Sequence, residues 1–89
     1  MLFEWDAEKA KVNFERHGVS FEEAKMAFAD TNLLEAIDEA HSDDEMRYNL
    51  IGLATKGLLF VVYTERGEAI RIISARKANK FEEDVYVQK

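Results

Sequence analysis

Apolar positions recur along this chain in two different periods, and the change of period divides it. Ala7, Ala10 and Phe14 recur at helical spacing among good helix formers, which predicts a helix from Ala7 to about His17 with those residues on its buried face. Asp6 is a good N-cap for it, and Gly18 supplies the left-handed residue that ends a helix. Ser20-Phe21-Glu22-Glu23 reads as a capping box, in which the Ser side chain takes the Glu23 amide and Glu23 reaches back. Val19 and Ala24 stand where a hydrophobic staple closes that turn. The second helix is expected over about 21–29, burying Phe21, Ala24 and Phe28. Ahead of both, Phe3-Glu4-Trp5 alternates apolar and polar and predicts a short strand.

After Asp30 the period becomes two. Strands are expected over Leu33–Asp38, Met46–Thr55, Leu58–Glu65 and Glu68–Ala75. Lys56-Gly57 and Arg66-Gly67 fall where hairpin turns need positive φ. Leu58 to Tyr63 is apolar on both faces, so that strand belongs in the middle of the sheet. Ala78 to Tyr86 predicts a last helix, with Phe81 and Val85 on one face. The order β-α-α-β-β-β-β-α describes an α+β fold, an antiparallel sheet with two N-terminal helices and a C-terminal helix.

At 89 residues the chain is read as a single domain over 1–89. Hydrophobic residues at 47% and charged residues at 34% describe an ordinary globule rather than a disordered tail. There is no cysteine, which excludes disulfides and thiolate metal sites. No apolar run approaches the ~18 residues of a membrane span, and the N-terminus is too charged for a signal peptide. The expectation is a cytoplasmic protein with no membrane partner.

A net charge of −6 argues at first against a nucleic-acid partner. Its distribution changes the picture. Residues 30–45 hold seven acids and no Lys or Arg, whereas residues 46–80 hold seven Lys and Arg against only Glu65 and Glu68. Local field rather than net charge draws an anionic ligand to a site. The alternative is that residues 30–45 form a solvated acidic edge that neutralises the sheet.

The basic sheet carries Arg47, Arg71 and Arg76, and a guanidinium fork fits phosphate oxygens at any physiological pH. Strand alternation puts Arg47 with Asn49 and Ile51, and Arg71 with Ile73 and Ala75. Arg76 is five residues from Arg71, so a regular strand points the two apart. They converge only if Arg76 lies past the strand end or follows a bulge. The competing reading pairs these arginines with the chain's own carboxylates. His17 stands at the end of the first helix, where the terminal carbonyls attract a cation, and His41 lies in the acidic stretch. A metal-dependent hydrolase on His41, Asp43, Asp44 and Glu45 is a rival reading, but these lack convincing ligand spacing. No cofactor or metal is expected.

Phe3-Glu4-Trp5-Asp6, Lys9, Asn13 and then Arg16-His17-Gly18-Val19-Ser20-Phe21-Glu22-Glu23-Ala24 resemble the N-terminal half of the BrnT family of toxins. Arg47 before Ile51-Gly52, the Leu59–Tyr63 strand, Thr64-Glu65-Arg66-Gly67, Ile70–Arg76, Ala78, Glu82 and Tyr86 match the second half in order. The resemblance implies a RelE-like fold and a metal-independent endoribonuclease that arrests growth. It also implies a cognate antitoxin with a ribbon-helix-helix DNA-binding part, in a heterotetramer or larger, so that operator DNA is met only through the antitoxin. Matched position by position, His17 falls on the family's functional histidine and Arg47, Arg71 and Arg76 on its basic positions. The chemistry of these groups then suggests His17 as general acid or base, Arg76 and Arg71 on the scissile phosphate, and Arg47 orienting or neutralising the RNA backbone.

The chain departs from its resemblance in the last helix, where Phe81-Glu82-Glu83-Asp84 is acidic and Asn79 replaces a usual Thr. A less basic helix weakens nonspecific attraction to RNA. The alternative function is therefore a catalytically weak module that binds the antitoxin and acts in transcriptional autoregulation.

Overall fold

The computed structural model describes residues 1–41 and 45–88. Its elements follow in the expected order: β1 (Leu2–Glu4), α1 (Ala7–His17), α2 (Phe21–Ala27), β2 (Leu34–Ile37), β3 (Arg47–Ala54), β4 (Gly57–Arg66), β5 (Ala69–Lys77) and α3 (Lys80–Gln88). A 3₁₀ turn at Glu39–His41 follows β2. The strands form one sheet in the order β1-β5-β4-β3-β2, with β4 central. β2 to β5 pair antiparallel, but β1 runs parallel to β5, setting Leu2, Phe3 and Glu4 opposite Ala69, Ile70 and Arg71. The antiparallel sheet expected from the sequence is present in β2 to β5, and β1 joins its edge in parallel. A strand of three residues carries no signal of its direction; where α1 and α2 take the chain decides it.

The helix ends form as their residues dictate. Asp6 accepts from the Lys9 amide at 3.0 Å, and Gly18, at φ 71°, donates its amide to the Phe14 carbonyl. Ser20 Oγ accepts from the Glu23 amide at 3.0 Å. The reciprocal half of that capping box is replaced: the Glu23 carboxylate accepts from the Lys56 amide, tying α2 to the β3–β4 turn.

One face of the sheet is covered by α1 and α2. Leu50, Leu59, Val61, Tyr63, Ile72 and Ala75 are buried there against Val19, Phe21, Ala24 and Ala27. Full burial of each large apolar side chain contributes about 1.5–3 kcal/mol. Edge-on ring contacts between Phe3 and Phe28 and between Phe28 and Tyr63, both at 5.0 Å, extend the core toward β1. A Cβ on Gly52 would stand 2.5 Å from the Ala27 carbonyl oxygen, so α2 lies this close to β3 only because that residue has no side chain.

Two expected faces are corrected. On α1, Phe14 is 52% exposed and Ala7 is exposed, while Asn13 is buried. The helix turns a polar residue inward because the edge of β5 lies there with hydrogen bonds to satisfy. On α3, Phe81 is 74% exposed, and the buried residue is Glu82. Here the helix is fastened by polar contacts: Tyr86 donates to Asp30 Oδ2 at 2.6 Å, and the same oxygen accepts from the Leu53 amide.

Candidate active site

The face of the sheet turned away from α1 and α2 holds the arginines. Cross-strand register lines up Glu4, Arg71, Thr64 and Arg47 in one row across β1, β5, β4 and β3. Arg71 and Arg47 are two strands apart, roughly 10 Å. A second row joins Ser74, Val62 and Asn49, and a third joins Arg76, Phe60 and Ile51. These rows share a face because the register slips by one residue between Val62 and Tyr63. Val62 opposes Ser74 and Tyr63 opposes Ile72, so Ile73 is the extra residue of a β-bulge. The bulge meets the condition set by the sequence, and Arg76 stands on the same side as Arg71. The two remain roughly 13 Å apart along the strand.

Both are engaged by carboxylates. Arg71 Nη1 donates to Glu4 Oε2 at 2.9 Å. Arg76 forms a fork with Glu82, each nitrogen 2.8 Å from one carboxylate oxygen, and its guanidinium lies over the Phe60 ring at 4.3 Å. Glu82 is placed for this by a capping box. Asn79 Oδ1 accepts from the Glu82 amide at 2.8 Å, and Glu82 Oε1 accepts from the Asn79 amide at 2.9 Å. The spacing Asn79-x-x-Glu82 is a readable signal for this helix start.

Burial pushes the Glu82 carboxyl up, but its bonds to Arg76 and to the Asn79 amide outweigh that and hold it below its ordinary value of 4.5. The same fork pushes the Arg76 guanidinium further up. A lowered folded pKa contributes stability above the unfolded value and loses it as pH falls through the folded one. The attachment of α3 is therefore expected to loosen only below about pH 4.5. Melting temperatures of the parent and Glu82→Gln between pH 3 and 7 check this: the gap between them should be wide at neutral pH and close in acid. A gap independent of pH would show that the fork contributes no linked proton.

Two grooves meet at the bulge. One, of about 270 Å³, lies between α1 and the outer edge of β5 and is lined by Lys9, Asn13, Arg16, His17, Ile73 and Ser74 among others. The other, of about 400 Å³, lies on the open sheet face and is lined by Asp38, Arg47, Asn49, Phe60, Val62, Ile73 and Ser74. Ile73 and Ser74 belong to both. His17, the last residue of α1, is exposed in the first groove. The structure thus brings His17 and Arg47 to adjoining grooves, while Arg71 and Arg76 flank them in their ion pairs. The Thr64 hydroxyl in the Arg47–Arg71 row donates to the Met46 carbonyl at 2.6 Å.

Sequence reasoning did not single out Ser74, Asn13, Asp38 or Glu82 as site residues. Ser74 and Asn13 were visible inside matched segments; Asp38 carried no signal beyond a strand end. Asp43, Asp44 and the His41 side chain, which the metal-dependent reading needs, lie outside the described residues. Among the described residues, no group of three or more His, Asp and Glu side chains is placed to hold a metal ion. Nor, among them, is any helix long and apolar enough to cross a membrane.

Comparison with known families agrees with the residues that carry the resemblance. A family model described as the ribonuclease toxin BrnT of type II toxin–antitoxin systems matches residues 5–82. No curated protein matches the chain.

Proposed function

Because the chain belongs to the family of BrnT ribonuclease toxins of type II toxin–antitoxin systems, we propose that it is a metal-independent endoribonuclease acting where its two grooves adjoin. The observation that carries this reading is the sharing of Ile73 and Ser74 by a groove holding His17 and a groove holding Arg47. A single RNA strand laid across the β5 bulge meets a proton-transfer group on one side and a fixed cation on the other.

The chemistry needs no other participant. The 2′-oxygen of the RNA attacks the adjacent phosphorus, the bond to the 5′-oxygen breaks, and a 2′,3′-cyclic phosphate and a 5′-hydroxyl result. One proton leaves the 2′-hydroxyl and one reaches the departing 5′-oxygen. His17 exchanges these protons as general base or acid. Arg47 stabilises charge on the phosphoryl oxygens, because it lines the groove that shares Ile73 and Ser74 with the groove of His17. Arg71 and Arg76 hold flanking phosphates by exchanging Glu4 and Glu82 for RNA.

The antitoxin is proposed to carry a ribbon-helix-helix part and to inhibit by covering this face, in an assembly of two toxins on a paired antitoxin that meets operator DNA indirectly. Uncovered, the chain arrests growth by cutting RNA in the cytoplasm. The engagement of Arg71 by Glu4 and of Arg76 by Glu82 favours one second reading, a catalytically weak module that serves antitoxin binding and autoregulation.

The test is cleavage of a mixed RNA by the purified chain in EDTA. The parent should cut, and Arg47→Ala should cut about 10²–10³-fold more slowly with its melting curve retained. Cleavage abolished by EDTA would overturn metal independence. A folded parent that cuts neither free nor ribosome-bound RNA would leave the binding module as the function.

A further inference from the structure

The groove on the open sheet face has a composition that phosphate binding alone does not explain. Phe60, Val62 and Ile73 give it apolar walls, and beside Arg47 the groove carries an acceptor-only carboxylate, Asp38, and a donor–acceptor amide, Asn49. A carboxylate there repels a phosphate but can accept from a neutral ligand rich in N–H groups. An unpaired nucleobase is such a ligand: flat, apolar on its faces and polar only at its edge.

We infer that this groove is a base-reading pocket selective for guanine in single-stranded RNA, next to the cleaved phosphate. Guanine carries two neighbouring donors, N1–H and the N2 amino group, followed by the O6 acceptor. The Asp38 carboxylate takes both donors, and the Asn49 amide nitrogen donates to O6. Adenine and cytosine turn a ring-nitrogen lone pair toward that carboxylate, and uracil flanks its one N–H with two carbonyl oxygens. Each would leave an oxygen facing a lone pair against the apolar walls of the groove, a hydrogen-bond mismatch that discriminates against it. In the free chain Asp38 is engaged within the protein, and the guanine edge takes over as its partner. The Asp38 amide donates to the Arg47 carbonyl at 2.8 Å, which fixes the backbone that carries the carboxylate beside the strand that carries Asn49.

The ligand class rests on the ribonuclease reading, and the experiment separates the two. The ¹⁵N-labelled chain is titrated with GMP, AMP, CMP and UMP, and cut sites are mapped in parallel on random-sequence RNA. GMP should bind on the order of tenfold tighter than the others and shift the Asn49 and Ser74 amides. Cut sites should show the same enrichment for guanine. Asp38→Asn, which keeps the side-chain shape, should erase the preference while the melting curve is retained. Asn49→Asp should weaken GMP by facing O6 with a carboxylate. Cleavage without base bias, together with equal binding of the four nucleotides, would overturn the pocket and leave the nuclease intact. Preferred GMP binding without RNA cleavage would uphold the pocket and sink the nuclease. A GMP preference that survives Asp38→Asn would also overturn the assignment.

Discussion

Asn13→Ala is expected to destabilise the protein by about 3 kcal/mol, which at 4–8 °C per kcal/mol for a domain of this size lowers the melting temperature by roughly 12–24 °C. The reason lies at the edge of β5. β1 pairs only with Ala69, Ile70 and Arg71, so the outer edge of β5 beyond them has no strand beside it. The Asn13 side chain fills that place at Ala75. Its Nδ2 donates to the Ala75 carbonyl at 2.8 Å and its Oδ1 accepts from the Ala75 amide at 3.1 Å. Nδ2 also donates to the Val19 carbonyl at 3.0 Å, just ahead of α2. Alanine leaves three backbone groups at a buried position without these partners, each costing about 1–3 kcal/mol unless water reaches it. Asn13→Asp is no rescue, because it turns a carboxylate oxygen toward two carbonyls. Thermal unfolding followed by circular dichroism measures both variants. A fall below about 3 °C for Asn13→Ala would show that water replaces the amide without loss.

His17→Ala is expected to slow RNA cleavage about 10²–10⁴-fold, the range for removing a positioned proton-transfer group. Its effect on folding should be small. His17 is exposed at the last position of α1, where the imidazole adds at most about 0.3–1 kcal/mol through the helix terminus. A rate loss with a nearly unchanged melting curve therefore isolates chemistry from structure. Asn13, which lines the same groove, should behave in the opposite way, losing rate in step with fold. Single-turnover cleavage with saturating enzyme separates the chemical step from binding. A folded His17→Ala that keeps its rate within about threefold would remove His17 from the mechanism, leaving Arg47 and the RNA's own 2′-hydroxyl to account for cleavage.

The acidic last helix carries a structural role that its composition does not announce. Glu82 belongs to the start of α3 and to Arg76, which binds it through both nitrogens. Among its neighbours, Asp84 pairs with Lys80 at 3.1 Å on an exposed surface, where such a pair contributes little. The charge that seemed to weaken RNA attraction is thus partly the means by which the helix is fastened to the sheet.

Element type and order were legible because they are local. A cap, a left-handed glycine at φ 71° and an apolar period are properties of a few adjacent residues, and Asp6, Gly18 and Ser20 behave here as they would in any helix. The two hairpin turns at Gly57 and Gly67 follow for the same reason. The inward faces of α1 and α3 were not legible, because Asn13 and Glu82 are buried by partners 62 and six residues away that no periodicity announces. The parallel pairing of β1 depends on where two helices carry the chain.

For the site, the sequence by itself determined the chemical inventory: a histidine at a helix end, three arginines on or just beyond the strands, and the rule that Arg71 and Arg76 diverge unless a bulge intervenes or Arg76 lies past the strand end. Only the tertiary structure decided that Ile73 is that bulge, that Arg71 and Arg76 are held by Glu4 and Glu82, and that the grooves of His17 and Arg47 share Ile73 and Ser74. A one-residue change of register turns every later side chain to the other face of a strand. It is set by the sum of cross-strand contacts rather than by any residue in the strand itself.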